Sequence, residues 1–129
     1  MMKLRIQGNS LRLRLQQREV AELHECGRLS ESLVLGTGPE ETFTYSLERH
    51  PGATVQILRE PTGLVVRLPA AWAADLAETD QVGVDVEVPV APGAMVRVKI
   101  EKDYACLTER PGEDERDAFP HPEGPCAGR

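Results

Sequence analysis

The stretch LVVRLPAAWAADLAETDQVGVDVEV, residues 64–88, reads as strand, helix and strand, and it occurs twice. Sliding the chain on itself by 53 positions lays residues 11–35, LRLRLQQREVAELHECGRLSESLVL, over it without a gap. Leu11, Arg14, Leu15, Ala21, Leu23 and Glu25 then meet identical residues at Leu64, Arg67, Leu68, Ala74, Leu76 and Glu78. The inward positions stay apolar in both copies, with Leu13 over Val66 and Leu47 over Ile100. The chain therefore reads as an internal duplication.

Each copy is expected to be a ββαββ unit, the first over residues 2–49 and the second over 53–102. In the first, Met2, Leu4 and Ile6 alternate with Lys3, Arg5 and Gln7, the period of a half-buried strand. Gly8 and Asn9 allow a turn, and Leu11, Leu13 and Leu15 alternate with Arg12 and Arg14 on the return. Val20 and Leu23 mark a short helix that Gly27 can end. Leu29, Leu33 and Leu35, with Glu31 as the misfit, mark a strand, and Phe43, Tyr45 and Leu47 mark its partner. In the second copy Val55 and Ile57 lead to Leu64, Val66 and Leu68, Pro69 opens a helix that buries Trp72, Ala73 and Leu76, and Val82, Val84, Val86 and Val88 precede the strand of Val96, Val98 and Ile100.

These patterns predict a mainly β chain with two short helices, an α+β fold whose duplicated units form one barrel-like or interleaved-hairpin domain over residues 1–107. At 129 residues the chain is one domain by size, and with only 4% aromatic residues its core must be aliphatic. Neither half is expected to fold alone, and a monomer with pseudo-twofold symmetry is expected over an obligate dimer. Residues 108–129 form an acidic tail rich in Pro and Gly, and Tyr104, Leu107 and Phe119 are expected to pin part of the chain beyond Asp103 to the body.

No stretch approaches the roughly 20 apolar residues of a membrane helix, and the N-terminus lacks a signal-peptide pattern, so a cytoplasmic location is the default expectation and no membrane is expected as partner. Cys26, Cys106 and Cys126 form an odd, sparse set that reads as reduced thiols. Together with His24 and His121 they lack the CxxC-type spacing of a zinc site, so neither metal nor cofactor is expected.

The order of strand, Arg67-Leu68-Pro69, short helix with Trp72 and Leu76, and alternating valines from Val82 to Val88 resembles the swapped-hairpin family of AbrB and MazE-type transcription factors. Gly8-Asn9-Ser10 before Leu11-Arg12-Leu13 is similar to the opening of many MazE-like hairpins. The resemblance spans residues 2–102 and implies interleaved hairpins that bind DNA through basic residues, with two copies supplying a dimer within one chain. Asp80-Gln81 stands where a Gly-Asp turn is usual, and Gln16 replaces the proline in the first copy. The chain also resembles small uncharacterised bacterial proteins that begin like KLRIQGNSLRLRL and end like EKDYACL with an acidic tail, a likeness that implies no activity.

Charge gives the functional lead. The net charge is −6, but residues 103–129 carry seven acidic and three basic side chains, whereas the first 18 residues hold Lys3, Arg5, Arg12, Arg14 and Arg18 and no acid. Strand alternation places Lys3, Arg5, Arg12 and Arg14 on one face of the first hairpin, a candidate anion-binding site for nucleic acid or another polyanion that the acidic tail would mask. At the second hairpin Lys3, Arg5 and Arg12 become Gln56, Leu58 and Val65, so a palindromic operator does not fit. A binding or regulatory module is therefore expected ahead of an enzyme, with no catalytic residue assigned. The alternatives are an enzyme that uses the same arginines on a phosphorylated substrate with Glu87 or Glu101 as base, and a protein-interaction module without an anion site.

Overall fold

Alternating stretches of apolar and charged residues make four hairpins in the computed structural model, which describes residues 1–104. β1 (Lys3–Gln7) turns at Gly8 into β2 (Ser10–Leu15), and α1 (Gln17–Cys26) follows. Glu19 opens this helix by accepting the Gln16 N–H at 2.9 Å. Gly27 closes it at φ +88°, a left-handed conformation that costs glycine little. β3 (Arg28–Val34) and β4 (Thr42–His50) form the second hairpin, and β5 (Gln56–Glu60) and β6 (Gly63–Pro69) the third. After α2 (Ala70–Glu78), β7 (Gly83–Ala91) and β8 (Ala94–Lys102) form the fourth.

The hairpins join partners distant in sequence. One four-stranded sheet has the order β1-β2-β8-β7 and the other β3-β4-β6-β5, so each takes one hairpin from each half of the chain. The central pairs, β2 with β8 and β4 with β6, run parallel. Tight turns cannot make parallel pairs, so the middle of each sheet depends on contacts between the halves. The result is two open sheets and not a closed barrel. Between the edges of β5 and β7 lies a groove of about 670 Å³ lined by Val55, Ile57, Trp72, Val86 and Val88 among others, where apolar side chains meet in place of a backbone ladder.

One aliphatic cluster fills the space between the sheets, drawing Leu11, Leu13, Leu15, Leu23 and Leu47 from one half and Val66, Leu68, Leu76, Val98 and Ile100 from the other. The 53-residue spacing holds in three dimensions for β1 and β2, since Lys3 pairs with Arg14 as Gln56 pairs with Arg67. It also holds between sheets, where Ser10 pairs with Arg97 as Gly63 pairs with Thr44.

The spacing fails at β3, which corrects the ungapped alignment. Leu29 opposes Leu47 as Val84 opposes Ile100, and Arg28 opposes Glu48 as Gly83 opposes Glu101, which is a spacing of 55. The two extra residues follow α2. Gly27 turns α1 directly into β3, whereas α2 ends without a glycine, Thr79 capping the Asp75 carbonyl through both its N–H and its hydroxyl, and the chain needs residues 79–82 to reach β7. Val82 is consequently exposed outside the strand, and Val84 takes the place of Leu29. Leu33 and Leu35, expected to face inward, are exposed at the free end of the β3–β4 hairpin, and Trp72 is half-buried. The misfit Glu31 faces the start of the chain, its carboxylate accepting the Met2 N–H at 3.4 Å.

Among the described residues no helix is long and apolar enough to cross a membrane. The domain boundary expected at residue 107, the acidic tail 108–129, Leu107, Phe119, Cys106, Cys126 and His121 lie outside the described residues.

Candidate anion site

Strand alternation sorts the first sheet into an apolar face on the core and a charged outer face. Register sets the outer side chains in rows across the four strands. The middle row runs Arg5, Arg12, Lys99, Asp85. The row toward the hairpin turns runs Gln7, Ser10, Arg97, Glu87, and the row on the other side runs Lys3, Arg14, Glu101, Gly83.

Lys3, Arg5, Arg12 and Arg14 share this outer face, as the alternation of β1 and β2 requires, but the surroundings divide them. Lys3 bridges to Asp103 at 2.8 Å. Arg14 approaches Glu101 at 3.9 Å, and the same carboxylate reaches Arg12 at 3.2 Å. Arg5 and Arg12 instead join Arg97 and Lys99, with Gln7 and Ser10, around a pocket of about 180 Å³. Among the described residues Arg5 has no acidic partner, and no carboxylate lines this pocket. Arg12 keeps its side chain 24% exposed, half-buried between its neighbours.

Arg97 is held from the adjacent edge strand, where its Nε and guanidinium nitrogen donate to the two Asp85 oxygens at 3.0 and 2.8 Å. That hydrogen bond holds the Asp85 carboxyl below its ordinary range, against the opposing effect of burial and with help from the charges of Arg97, Lys99 and Arg12. Both members of the pair are solvent-exposed, so the pair positions the arginine more than it stabilises the fold.

Arg97 and Lys99 are the functional candidates that the sequence pattern did not bring to this face. Their alternation with Val96, Val98 and Ile100 shows that they point away from the core. What the alternation does not show is that β8 lies beside β2, a pairing between opposite halves of the chain.

The second sheet provides an internal comparison. The positions equivalent to Arg5, Arg12, Arg97 and Lys99 are Leu58, Val65, Thr44 and Ser46, and those equivalent to Gln7 and Ser10 are Glu60 and Gly63. No cation stands in that block. The row next to it is kept, with Arg67 and Glu48 matching Arg14 and Glu101, and Arg67 Nε donating to Glu48 at 3.0 Å. An arginine–glutamate pair thus recurs on both sheets at the helix side, while the four clustered cations occur on one sheet only.

Glu87 and Glu101, the sequence candidates for a base, stand on the same outer face in separate rows, Glu87 opposite Arg97 and Glu101 against Arg12 and Arg14. His24 is half-buried and Cys26 exposed on α1. Among the described residues no three His, Cys, Asp or Glu side chains are grouped to hold a metal ion.

The chain matches the model of a family of unknown function, DUF7009, across residues 2–123. No curated protein and no solved structure matches it.

Proposed function

Because the chain belongs to this family, DUF7009, which brings no activity with it, we propose from the geometry that it is a non-catalytic binding or regulatory module whose working surface is the outer face of the β1-β2-β8-β7 sheet, taking an anion on that side alone. The observation that carries this is the cluster of Arg5, Arg12, Arg97 and Lys99 around one pocket, set against the other sheet, where none of the four equivalent positions carries a cation. Like charges directly opposite on neighbouring strands, such as Arg5 and Arg12, are destabilising unless an anion sits among them. A module built only for stability would have no use for them.

On this proposal the two halves are a duplicated ββαββ unit of the AbrB and MazE kind, supported by the shared register of β1-β2 and β5-β6 and by strand orders that interchange when the halves are exchanged. One sheet carries this basic cluster on its outer face and the other lacks it, which disfavours reading of a two-fold symmetric DNA site. Nucleic acid or another polyanion remains the ligand class to test first. The excess of acid in residues 103–129 makes that segment a competitor for the same face, and the bridge from Asp103 to Lys3 supports it.

The test is a titration of full-length protein with inorganic phosphate, heparin, RNA and DNA across salt concentrations, repeated with Arg12→Ala, Lys99→Ala and, as control, Arg67→Ala on the opposite sheet. Binding that weakens with salt and with the first two variants is expected. If no anion binds, or if Arg67→Ala weakens binding as much as Lys99→Ala, the anion face is refuted.

A further inference from the structure

We infer that the ligand of this face is a single phosphomonoester-type dianion, seated in the pocket of Arg5, Arg12, Arg97 and Lys99, and not a strand of phosphodiesters. The inference rests on the anion-face reading and narrows it.

Size comes first. At about 180 Å³, the pocket has room for one tetrahedral oxyanion and a few waters, each water taking about 30 Å³. The three strands that contribute are neighbours about 4.8 Å apart, so the bases of Arg5 and Lys99 flank that of Arg12 within roughly 10 Å of each other. Arms of that length converge on one group between them. The Arg5 fork can grip two oxygens, Arg12 and Arg97 offer the guanidinium N–H groups that Glu101 and Asp85 do not take, and Lys99 adds a point charge.

The surrounding charges bound the site on two sides. A backbone of phosphodiesters needs a run of cations, yet past Arg12 toward the helices the cations Lys3 and Arg14 face Asp103 and Glu101. Past Lys99 and Arg97 stand Asp85 and Glu87. Within the block, Glu101 pairs with Arg12 and Asp85 with Arg97, which leaves Arg5 and Lys99 as the two cations without an ion pair among the described residues, Lys99 standing opposite Asp85 in the register. A phosphomonoester carries about −1.5 to −2 at neutral pH and can answer both of them at once, whereas a diester carries one charge per phosphate.

The site is also held in place before any ligand arrives. Asp85 fixes Arg97 through two hydrogen bonds and Glu101 fixes Arg12, so less side-chain freedom is lost on binding. The opposite sheet, built on the same register, shows that the scaffold does not require these side chains, since Leu58, Val65, Thr44 and Ser46 fill the same places.

The experiment is calorimetric titration of the full chain with inorganic phosphate, phenyl phosphate, dimethyl phosphate and a 20-nucleotide oligothymidylate. Inorganic phosphate or phenyl phosphate should bind with Kd below about 1 mM. Dimethyl phosphate, a monoanion with the chemistry of a nucleic-acid backbone, should bind at least tenfold more weakly. Arg97→Gln and Lys99→Gln should each weaken the phosphate about tenfold, the loss of one charge-assisted contact, while Lys3→Gln stays within about twofold. Stronger binding of phenyl phosphate than of inorganic phosphate identifies an organic monoester as the source, and the reverse order identifies free phosphate. If the oligothymidylate binds in a Lys99-dependent way and neither phosphate compound does, the single-group inference falls and the anion face stands. If none of the four compounds binds, both fall.

Discussion

Replacing Leu13 by alanine should unfold both halves of the chain together. Leu13 is 1% exposed in β2, facing Leu4 in its own hairpin and Ile100 across the parallel pair with β8. Removing a buried leucine beyond its Cβ costs about 3 kcal/mol, within the usual range of roughly 2 to 5, out of a total stability of about 5–15 kcal/mol for a domain of this size. With a urea slope of about 2 kcal/mol per molar, the midpoint should fall by about 1.5 M. Trp72 is the only tryptophan and lies in α2, in the other half of the chain, so its fluorescence reports on a distant element while far-UV circular dichroism reports on the sheets. Both probes should shift by the same amount, because the core of Leu13 and the core of Leu76 are one cluster. Val66→Ala, at the equivalent place in β6, should also move both probes together. A Trp72 transition that stays at its original midpoint while the dichroism splits into two steps would refute the shared core.

Three further outcomes follow from particular contacts. Gly63→Ala would set a Cβ 1.8 Å from the Thr44 carbonyl oxygen, so β4 and β6 must part, and a thermal melt should show a loss of more than about 2 kcal/mol; an unchanged melting temperature would contradict the register there. The Tyr45 phenol is raised above its ordinary value by burial first and then by Glu31 and Glu19, and it donates to the Met2 carbonyl at 2.8 Å. Its folded value therefore lies above the unfolded value of about 10, so its contribution is intact below pH 10 and lost as pH rises through the folded value; Tyr45→Phe should flatten the alkaline limb of urea midpoints measured from pH 8 to 11. The Asp85 carboxyl is held low by Arg97, so its small contribution exists above the unfolded value of about 3.9 and fades as pH falls below it, and Asp85→Asn should leave the midpoint at pH 7 almost unchanged while reducing the acid-side slope.

Local pattern made the elements legible, because alternation and helical spacing are properties of neighbouring residues. Leu11, Leu13 and Leu15 announced β2 and its buried face, and Gly27 announced the end of α1. The spacing of 53 also placed Gln56, Leu58 and Val65 correctly against Lys3, Arg5 and Arg12. It misplaced β7 because a valine at every second position looks equally good in either of two registers, and only the cap after α2 decides between Val82 and Val84. The closed barrel was not distinguishable from two open sheets by any single strand, since edge pairing is decided where distant strands meet. The same limit hid half of the proposed anion site. β1 and β2 are joined by a tight turn, so Arg5 and Arg12 could be paired from sequence, but Arg97 and Lys99 reach them through a parallel pairing that spans most of the described chain.

The two outer faces separate what this scaffold needs from what one face adds. Arg14 with Glu101 and Arg67 with Glu48 occupy matching places beside the helices, and Glu48 also receives Arg28 from β3. Pairs that recur wherever the architecture recurs are explained by the architecture, since they satisfy charged side chains at the same point of each parallel pair. The clustered cations have no such explanation. On the second sheet the corresponding interior of the face is Val65, 2% exposed, beside Ser46, 1% exposed, and Ser46 shares a hydrogen bond of 2.8 Å with Ser30. That arrangement shows a solution available to this register, with small side chains packed closely and the Arg28 guanidinium of the next strand donating to Ser46 at 3.2 Å. The first sheet holds Arg12 and Lys99 in the same two places and forgoes that packing, and its like charges face one another across β1, β2 and β8 around the pocket proposed to take an anion. Substituting Arg12→Val with Lys99→Ser should therefore raise the melting temperature in phosphate-free buffer while abolishing phosphate binding, and a variant that loses stability instead would show that the cations serve the fold.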